Sequence, residues 1–411
     1  MKVAIVGGGV VGMACAYELV RAGAEVVVLD RGRIGHGASL GNTGWVCPSF
    51  TYPLPGPGIV AEGLRAAFSS DGALAIRPSL DPGYLRWLWA FRRNCNSSTW
   101  LRGLAAFVEL GRPTTDLLDG YRAAGVEFEL HSAGLLLVAL DPKKLSAYTG
   151  IFRDLVTLGF EGGLEEVSGD RARELEPMLS AGTSGGVLAQ IDRWVEPLSL
   201  AQGLAAWVAG HGVEVREGVE VRAIRGGLVE TNGGPLEVDA TVIAAGFHSQ
   251  ELMRGLGVRV RMAPARGYSV TYARNSAATP SRALYLADAR VGVSTFDDGV
   301  RVAGVFELGA HNLAVEERRL DAMLRTIDPF FAGWRASVAP RESTWAGLRP
   351  LTSDGLPLIG RAPRDPKVFI ATGHGMLGIT LAPATAALLA PLVLEGRADP
   401  ALRPFDPARR P

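Results

Sequence analysis

The chain has 411 residues, 47% of them apolar, and its 42 basic and 42 acidic side chains cancel. That is long enough for two domains with sizeable cores, and with no basic run it excludes nucleic acid as a partner class. Its three cysteines, Cys15, Cys47 and Cys95, fit neither a zinc site nor a disulfide framework, so a reducing, cytoplasmic setting is expected. The apolar stretches Leu135–Leu140 and Ile379–Leu394 read as too short or too interrupted to span a bilayer. With a strand opening at Val3, no signal peptide is expected ahead of it.

Val3–Val6 is a β-branched apolar run that predicts a buried strand. Gly7, Gly9 and Gly12 follow in the spacing G-x-G-x-x-G. Met13 to Ala22 reads as a helix stopping at Gly23, and Val26–Leu29 is a second strand ending at Asp30. Gly7 allows a tight turn, Gly9 lets backbone approach a pyrophosphate, and Gly12 lets the helix pack on the strand. Val10 and Val11 stand in the turn ahead of that helix, as cofactor-binding candidates where its free N–H groups would meet phosphate. Asp30 stands where a carboxylate accepts hydrogen bonds from a ribose. Together these predict dinucleotide binding; the alternative is a glycine-rich turn with no ligand. Arg31 and Arg33 suit a 2′-phosphate, which Asp30 would repel, so this stretch leaves NAD and FAD both open.

The next twenty residues are rich in Gly, Ser and Asn and lack periodicity. Ser39, Asn42, Thr43 and Gly44 offer hydrogen bonds to phosphate and polyol oxygens and close backbone approach to a flat ring; an ordinary surface loop is the alternative. The string GASLGNTGWVCPSF resembles the second cofactor segment of the D-amino acid oxidase-like flavoprotein superfamily, which includes glycine oxidase, sarcosine oxidase and the small subunit of D-amino acid dehydrogenase. The resemblance implies FAD, with Ala38, Ser39, Asn42 and Gly44 along it.

Beyond it, YLRWLWAFRRN sets Trp87 and Trp89 beside Arg86, Arg92 and Arg93 at near-helical spacing. This is an amphipathic helix packed on its own domain or a membrane- or partner-docking face. Leu101–Ala124 reads as helix, Gly134–Leu140 as strand, and Pro142 to Leu158 as helix. Pro197–Gly210 is a helix, followed by strands Val213–Arg216 and Val219–Ile224. Here the resemblance implies that the Val219 backbone contacts adenine. Leu236–Gly246 reads as one strand, and by resemblance Ala245 and Gly246 pass under the dinucleotide; His248 reads as a cap or loop residue. Residues 262–345 predict antiparallel sheet, with Asp297-Asp298-Gly299 a hairpin signal. Tyr268, Tyr285 and Glu307 are its polar candidates. The resemblance implies that Tyr285 helps to hold a substrate carboxylate, an edge-strand tyrosine being the alternative.

The last block, WAGLRPLTSDGLPLIG…GHGMLGITLAPATAALL, places Arg349 between Leu348 and Pro350. An arginine fork matches a carboxylate bidentately. The block is similar to the C-terminal signature of glycine oxidase and D-amino acid dehydrogenase, which implies that Arg349 binds the substrate carboxylate, with Gly347 beside the flavin. Gly373, His374, Gly375, Met376, Leu377 and Gly378 precede a predicted helix whose N-terminus can stabilise charge on a reduced flavin. His374 is a catalytic or flavin-contacting candidate, or a loop donor. Leu351, Thr352 and Ser353 stand where some relatives carry a flavin-linking cysteine, so non-covalent FAD is expected. Gly375-Met376-Leu377 lacks the second arginine of some glycine oxidases, which implies a roomier or more apolar pocket.

The expected fold is α/β. A doubly wound FAD-binding domain with helices on both faces is formed by 1–85, 165–260 and 346–411. An α+β substrate domain on a mixed, largely antiparallel sheet is formed by 86–164 and 261–345. The implied activity is FAD-dependent oxidation of the C–N bond of a small amino acid to an imino acid that hydrolyses to a keto acid, with oxygen or a quinone as acceptor. The alternatives are oxidation of a secondary amino acid, a non-catalytic FAD-holding subunit, and an NAD(P)-dependent dehydrogenase. A cytoplasmic location is expected, peripheral to a membrane if the tryptophan–arginine face docks there.

Overall fold

The computed structural model of the chain describes residues 1–61, 63, 74–274 and 279–409. A six-stranded sheet runs in the order Glu214–Glu217, Glu25–Asp30, Lys2–Val6, Ala240–Ile243, Val368–Thr372, Leu358–Arg361. The first five strands are parallel and the last is antiparallel. The central strands are apolar throughout because both faces of the sheet are covered. Val3 and Ile5 pack with the helices Val10–Arg21, Pro197–Gly210 and Gly378–Glu395. Ala4, Val27 and Leu29 pack instead on a three-stranded meander, Val221–Arg225, Leu228–Thr231 and Gly234–Glu237. That half of the second face is therefore covered by strands where helices were expected. On the other half, Val6, Ile243 and Ile370 pack with Leu252, Met253 and Leu256, at and after the short helix Ser249–Leu252.

Two elements expected to be single are split. The predicted strand Leu236–Gly246 ends its first half in the meander and begins its second in the central sheet. Asp239 marks the crossing, its carboxylate accepting from the Lys2 N–H at 2.7 Å. The predicted helix Leu101–Ala124 is two helices, Ser97–Gly111 and Thr114–Ala123, because Pro113 has no N–H to continue the first. Gly378–Glu395 is long and apolar enough to pass as a membrane span, contrary to the sequence expectation, yet 67% of it is buried within the protein.

The second large sheet takes the order Ser343–Thr352, Met262–Ala273, Gly299–Leu308, Val291–Thr295, Ala283–Leu286, Leu135–Ala139, Gly185–Ala189, Leu164–Ser168, and Leu74–Ile76 adds to Gly299–Leu308. It is mixed and largely antiparallel, as expected, and the Asp297-Asp298-Gly299 turn does join two antiparallel strands. Leu164–Ser168 and Gly185–Ala189 belong to this sheet by pairing, although 165–260 was grouped with the nucleotide-binding segments. One face packs on the helix Glu317–Ile327 through Tyr268, Val270 and Val302. The other carries Trp345, Gly347 and Arg349 and meets the loop after Asp30: a Cβ on Gly41 would lie 2.0 Å from the Trp345 ring, and Trp45 donates to Ser294 at 2.8 Å.

The helix Pro82–Asn94 divides its tryptophans. Trp87 is fully buried, stacked on Phe91, and donates to the Leu351 carbonyl at 3.0 Å. Trp89 is 61% exposed with Arg93 over its ring. Leu85, Arg86 and Arg92 share the exposed side.

Candidate active site

The glycine loop separates packing from ligand space. Gly7 has φ +109°, and a Cβ there would lie 2.6 Å from the Ala244 oxygen. A Cβ on Gly12 would lie 1.9 Å from the Gly7 oxygen. Both positions exclude any side chain. At Gly9 a Cβ would meet only Ser39 Oγ, at 3.5 Å, so the space above this backbone is open to a ligand. The helix beginning at Val10 has no side-chain cap and no acid in its first turn. Its first N–H groups therefore face that space as anion donors. Val10 also donates to Ser39 Oγ at 3.3 Å, which ties the second predicted segment to the first.

Asp30 holds this end together. Its carboxylate accepts from the Gly8 N–H at 2.6 Å and the Gly32 N–H at 2.7 Å, and its carbonyl accepts from the Val219 N–H at 2.8 Å. Arg31 lies 2.7 Å from His248 Nε2. Burial first, then the Arg31 charge, lowers the His248 pKa, so the ring is the neutral acceptor. Ala245 lies under Gly7, and the Gly246 carbonyl accepts from Thr372 at 2.8 Å. These predicted positions, with Val11, gather at the carboxyl ends of the parallel strands, where such sheets bind nucleotides. In the loop after Asp30, Ala38 is exposed, Asn42 accepts from its own turn at Gly44, and the Thr43 methyl faces Gly292. Gly44 is required by packing, since a Cβ would lie 1.8 Å from the Val195 oxygen.

The two ends of the chain meet here. Gly378 opens its helix beside Val11, with no side-chain cap and no acid in the first turn. Two helix N-termini therefore start side by side. The preceding loop turns at Gly373 and Gly375, which have φ of +78° and +57°. It is fastened to the Arg349 strand by the Gly375 N–H donating to Pro350 at 3.1 Å and by a bridge from His374 to Leu351. Met376 is exposed.

Arg349 lies on the sheet face that looks toward this junction. It has no ion-pair partner among the described residues. Its Nη1 donates to the Val305 carbonyl at 2.9 Å, and its guanidinium sits 5.7 Å from the Phe306 ring centroid. Burial pushes its pKa down to about 10, which leaves a partly desolvated cation at neutral pH. An incoming carboxylate would relieve that cost. Gly347 accommodates Trp345, whose ring would touch any Cβ there.

The other predicted catalytic residues do not join Arg349. Tyr285 is on the same face but four strands away, about 19 Å at the usual strand spacing. Its hydroxyl pairs with that of Tyr148 at 2.9 Å, and Trp45 and Phe50 pack on its ring. His374 is buried, with Nε2 3.0 Å from Thr385 Oγ1. Burial lowers its pKa to about 3, so it is neutral and turned into the core. Tyr268 and Glu307 lie on the opposite face, bonded to each other at 2.9 Å. Gly267, Val305 and Phe306, which surround Arg349, were missed. Their signal is the Gly304-Val305-Phe306 run, where the alternation of a strand breaks.

The family model for FAD dependent oxidoreductases matches residues 2–392. A D-amino acid dehydrogenase of Cereibacter sphaeroides is 34% identical over 97% of this chain and 92% of its own. Another, of Phenylobacterium zucineum, is 32% identical over 98% and 95%. Glycine oxidase of Bacillus cereus has a similar structure, with a TM-score of 0.77 at 22% identity over 100% of this chain and 99% of its own. So does L-proline dehydrogenase of P. horikoshii, with a TM-score of 0.76 at 18% identity over 99% and 97%. The open backbone at Gly9, the paired helix starts and this family match agree, and the chain belongs to the FAD-dependent oxidoreductases.

Proposed function

We propose that this chain oxidises the C–N bond of a small D-amino acid to an imino acid, which water then hydrolyses to a keto acid. The observation that carries this reading is Arg349, a partly desolvated guanidinium with no acid paired to it among the described residues, on the wall facing the two helix starts. Ser39, Asp30 and the first turn at Val10 and Val11 would hold the dinucleotide, and the loop Gly373–Gly378 the ring end. Bound FAD supplies the two-electron acceptor. Arg349 takes the substrate carboxylate and fixes the α-carbon, and orientation of this kind lowers the barrier. The start of the Gly378–Glu395 helix favours negative charge on the ring side. Burial makes His374 too weak a base to take a proton from a substrate ammonium, so on this reading the amine binds unprotonated.

The test is anaerobic. The purified chain is mixed with D-amino acids, glycine, sarcosine and D-proline, and its visible spectrum is followed. Bleaching by a primary D-amino acid is expected; bleaching by sarcosine or D-proline alone would move the activity to secondary amines. A spectrum that nothing bleaches would favour a non-catalytic FAD-holding subunit. Admitting air then separates an oxidase, which recolours at once, from a dehydrogenase that needs a quinone. Cosedimentation with anionic vesicles in the same preparation tests whether Leu85, Trp89 and their arginines form a peripheral membrane face; a chain left in the supernatant removes that role.

The FAD is non-covalent on this reading. Leu351, Thr352 and Ser353 offer no thiol, and Cys15 and Cys47 are buried, burial pushing both thiols up, Cys15 to about 12. Acid precipitation is therefore expected to leave all the yellow colour in the supernatant. Colour retained in the washed pellet would overturn this.

A further inference from the structure

The strand Gly299–Leu308 is irregular where it passes Arg349. Opposite the single residue Gly267 it places two, Val305 and Phe306, and the register shifts there. Val305 has φ +55°, a left-handed conformation that a β-branched side chain adopts only at a cost. The bulge sits where the strand changes partners. Val291–Thr295 pairs it as far as Ala303, and Leu74–Ile76 takes over at Phe306. Val305 sends its side chain into the core behind the sheet, while its carbonyl is turned out of the ladder toward Arg349. Gly267 leaves the gap that the guanidinium occupies: a Cβ there would lie 2.2 Å from both terminal nitrogens. Phe306 presents its ring to the same group.

We propose that Gly267, Val305 and Phe306 are positioning residues for Arg349, the bulge holding one edge and one face of the guanidinium so that its remaining edge is preset for a carboxylate. This rests on Arg349 as the carboxylate anchor. One nitrogen is spent on the Val305 carbonyl, and the group is laid flat over glycine. The rotamer freedom that a long side chain loses on binding has already been given up in the folded chain. The left-handed turn at Val305 is what frees its carbonyl from the ladder to reach Arg349, so the strain and the contact occur at one residue.

The test measures equilibrium binding of a simple carboxylate, benzoate, to the FAD-loaded protein by calorimetry, so no turnover is required. Gly267→Ala is expected to raise the dissociation constant by about tenfold or more, and Phe306→Leu by about threefold to fivefold. In an Arg349→Ala background, which itself binds benzoate about 100-fold more weakly, both further losses should vanish. Losses that multiply instead of vanishing would mean that the two residues act independently of Arg349, and the proposal falls. Unchanged affinity in Gly267→Ala and Phe306→Leu, with a loss in Arg349→Ala, also overturns it while leaving the anchor intact. Unchanged affinity in Arg349→Ala removes the anchor itself. Unaltered FAD content and circular dichroism of each variant separate these outcomes from misfolding.

Discussion

Arg349→Ala lowers kcat/KM for an amino acid by roughly 10²-fold, about 3 kcal/mol, with most of the loss in KM. The reason is the site's charge balance. No carboxylate among the described residues pairs with this guanidinium, so the substrate is the group that completes it. A carboxylate is bound before and during the oxidation, so its loss weakens both states and appears first in KM. A smaller fall in kcat follows from a less fixed α-carbon. Arg349→Lys recovers the charge but not the fork, and regains only part of the activity. The FAD content stays unchanged, because Arg349 lies on the large sheet and not at the glycine loop. Measured against an amine that lacks the carboxylate, wild type and Arg349→Ala become equal. A variant whose kcat/KM for the amino acid stays within about threefold of wild type would show that the carboxylate is held elsewhere.

Local features of the chain read directly from sequence. The strands and glycine turn of the first thirty residues lie where the pattern puts them, since each rests on neighbours a few residues away, and the helix between them starts at Val10, three residues before the expected Met13. The helix Pro197–Gly210 has the bounds expected from its proline and glycine. The pairing of distant elements is what the pattern could not carry. Leu236–Gly246 is one apolar run in sequence, but its halves serve two sheets. Tyr285 and Arg349 are both on the wall, and only the strand order shows that three strands separate them. Likewise, Tyr268 and Glu307 are polar residues on strands that line the site, yet their parity on the pleat turns them away from it. At His374 burial decided, because a histidine between two glycines in a loop gives no sign of which way it turns. The bulge at Val305 was visible only as a broken alternation, and its use depended on an arginine 44 residues further along.

Glu307→Ala destabilises the fold by about 3 kcal/mol, the cost of taking from a buried cation its nearest, fully buried carboxylate. Glu307 is wholly buried behind the bulge. It accepts from Arg266 at 2.9 and 2.5 Å, from Tyr268 at 2.9 Å, and from Arg77. Arg266 is itself only 1% exposed, so when the carboxylate is removed its charge is left to Asn312 and to the partly exposed Glu316 at 3.1 Å. Glu307→Gln keeps the shape and some hydrogen bonds and should lose less. The same ion pair sets a pH dependence. Burial alone would raise the Glu307 pKa, but the hydrogen bonds from Arg266, Arg77 and Tyr268 outweigh it and hold the carboxyl below its ordinary value. A lowered folded pKa means that the unfolded chain takes up the proton first. The stabilisation is then complete above the ordinary glutamate pKa of about 4.3 and is lost as pH falls through the lower folded value. Urea midpoints of wild type and Glu307→Gln should therefore stay a constant distance apart from neutral pH down to about pH 5, and converge below it. Midpoints that stay equally far apart into strong acid would show that the loss in Glu307→Gln comes from packing, not from the carboxylate charge. Because Glu307 is the residue after Phe306, a variant that frays here should also loosen the strand that presents Val305 to Arg349. Its benzoate affinity should fall together with its stability.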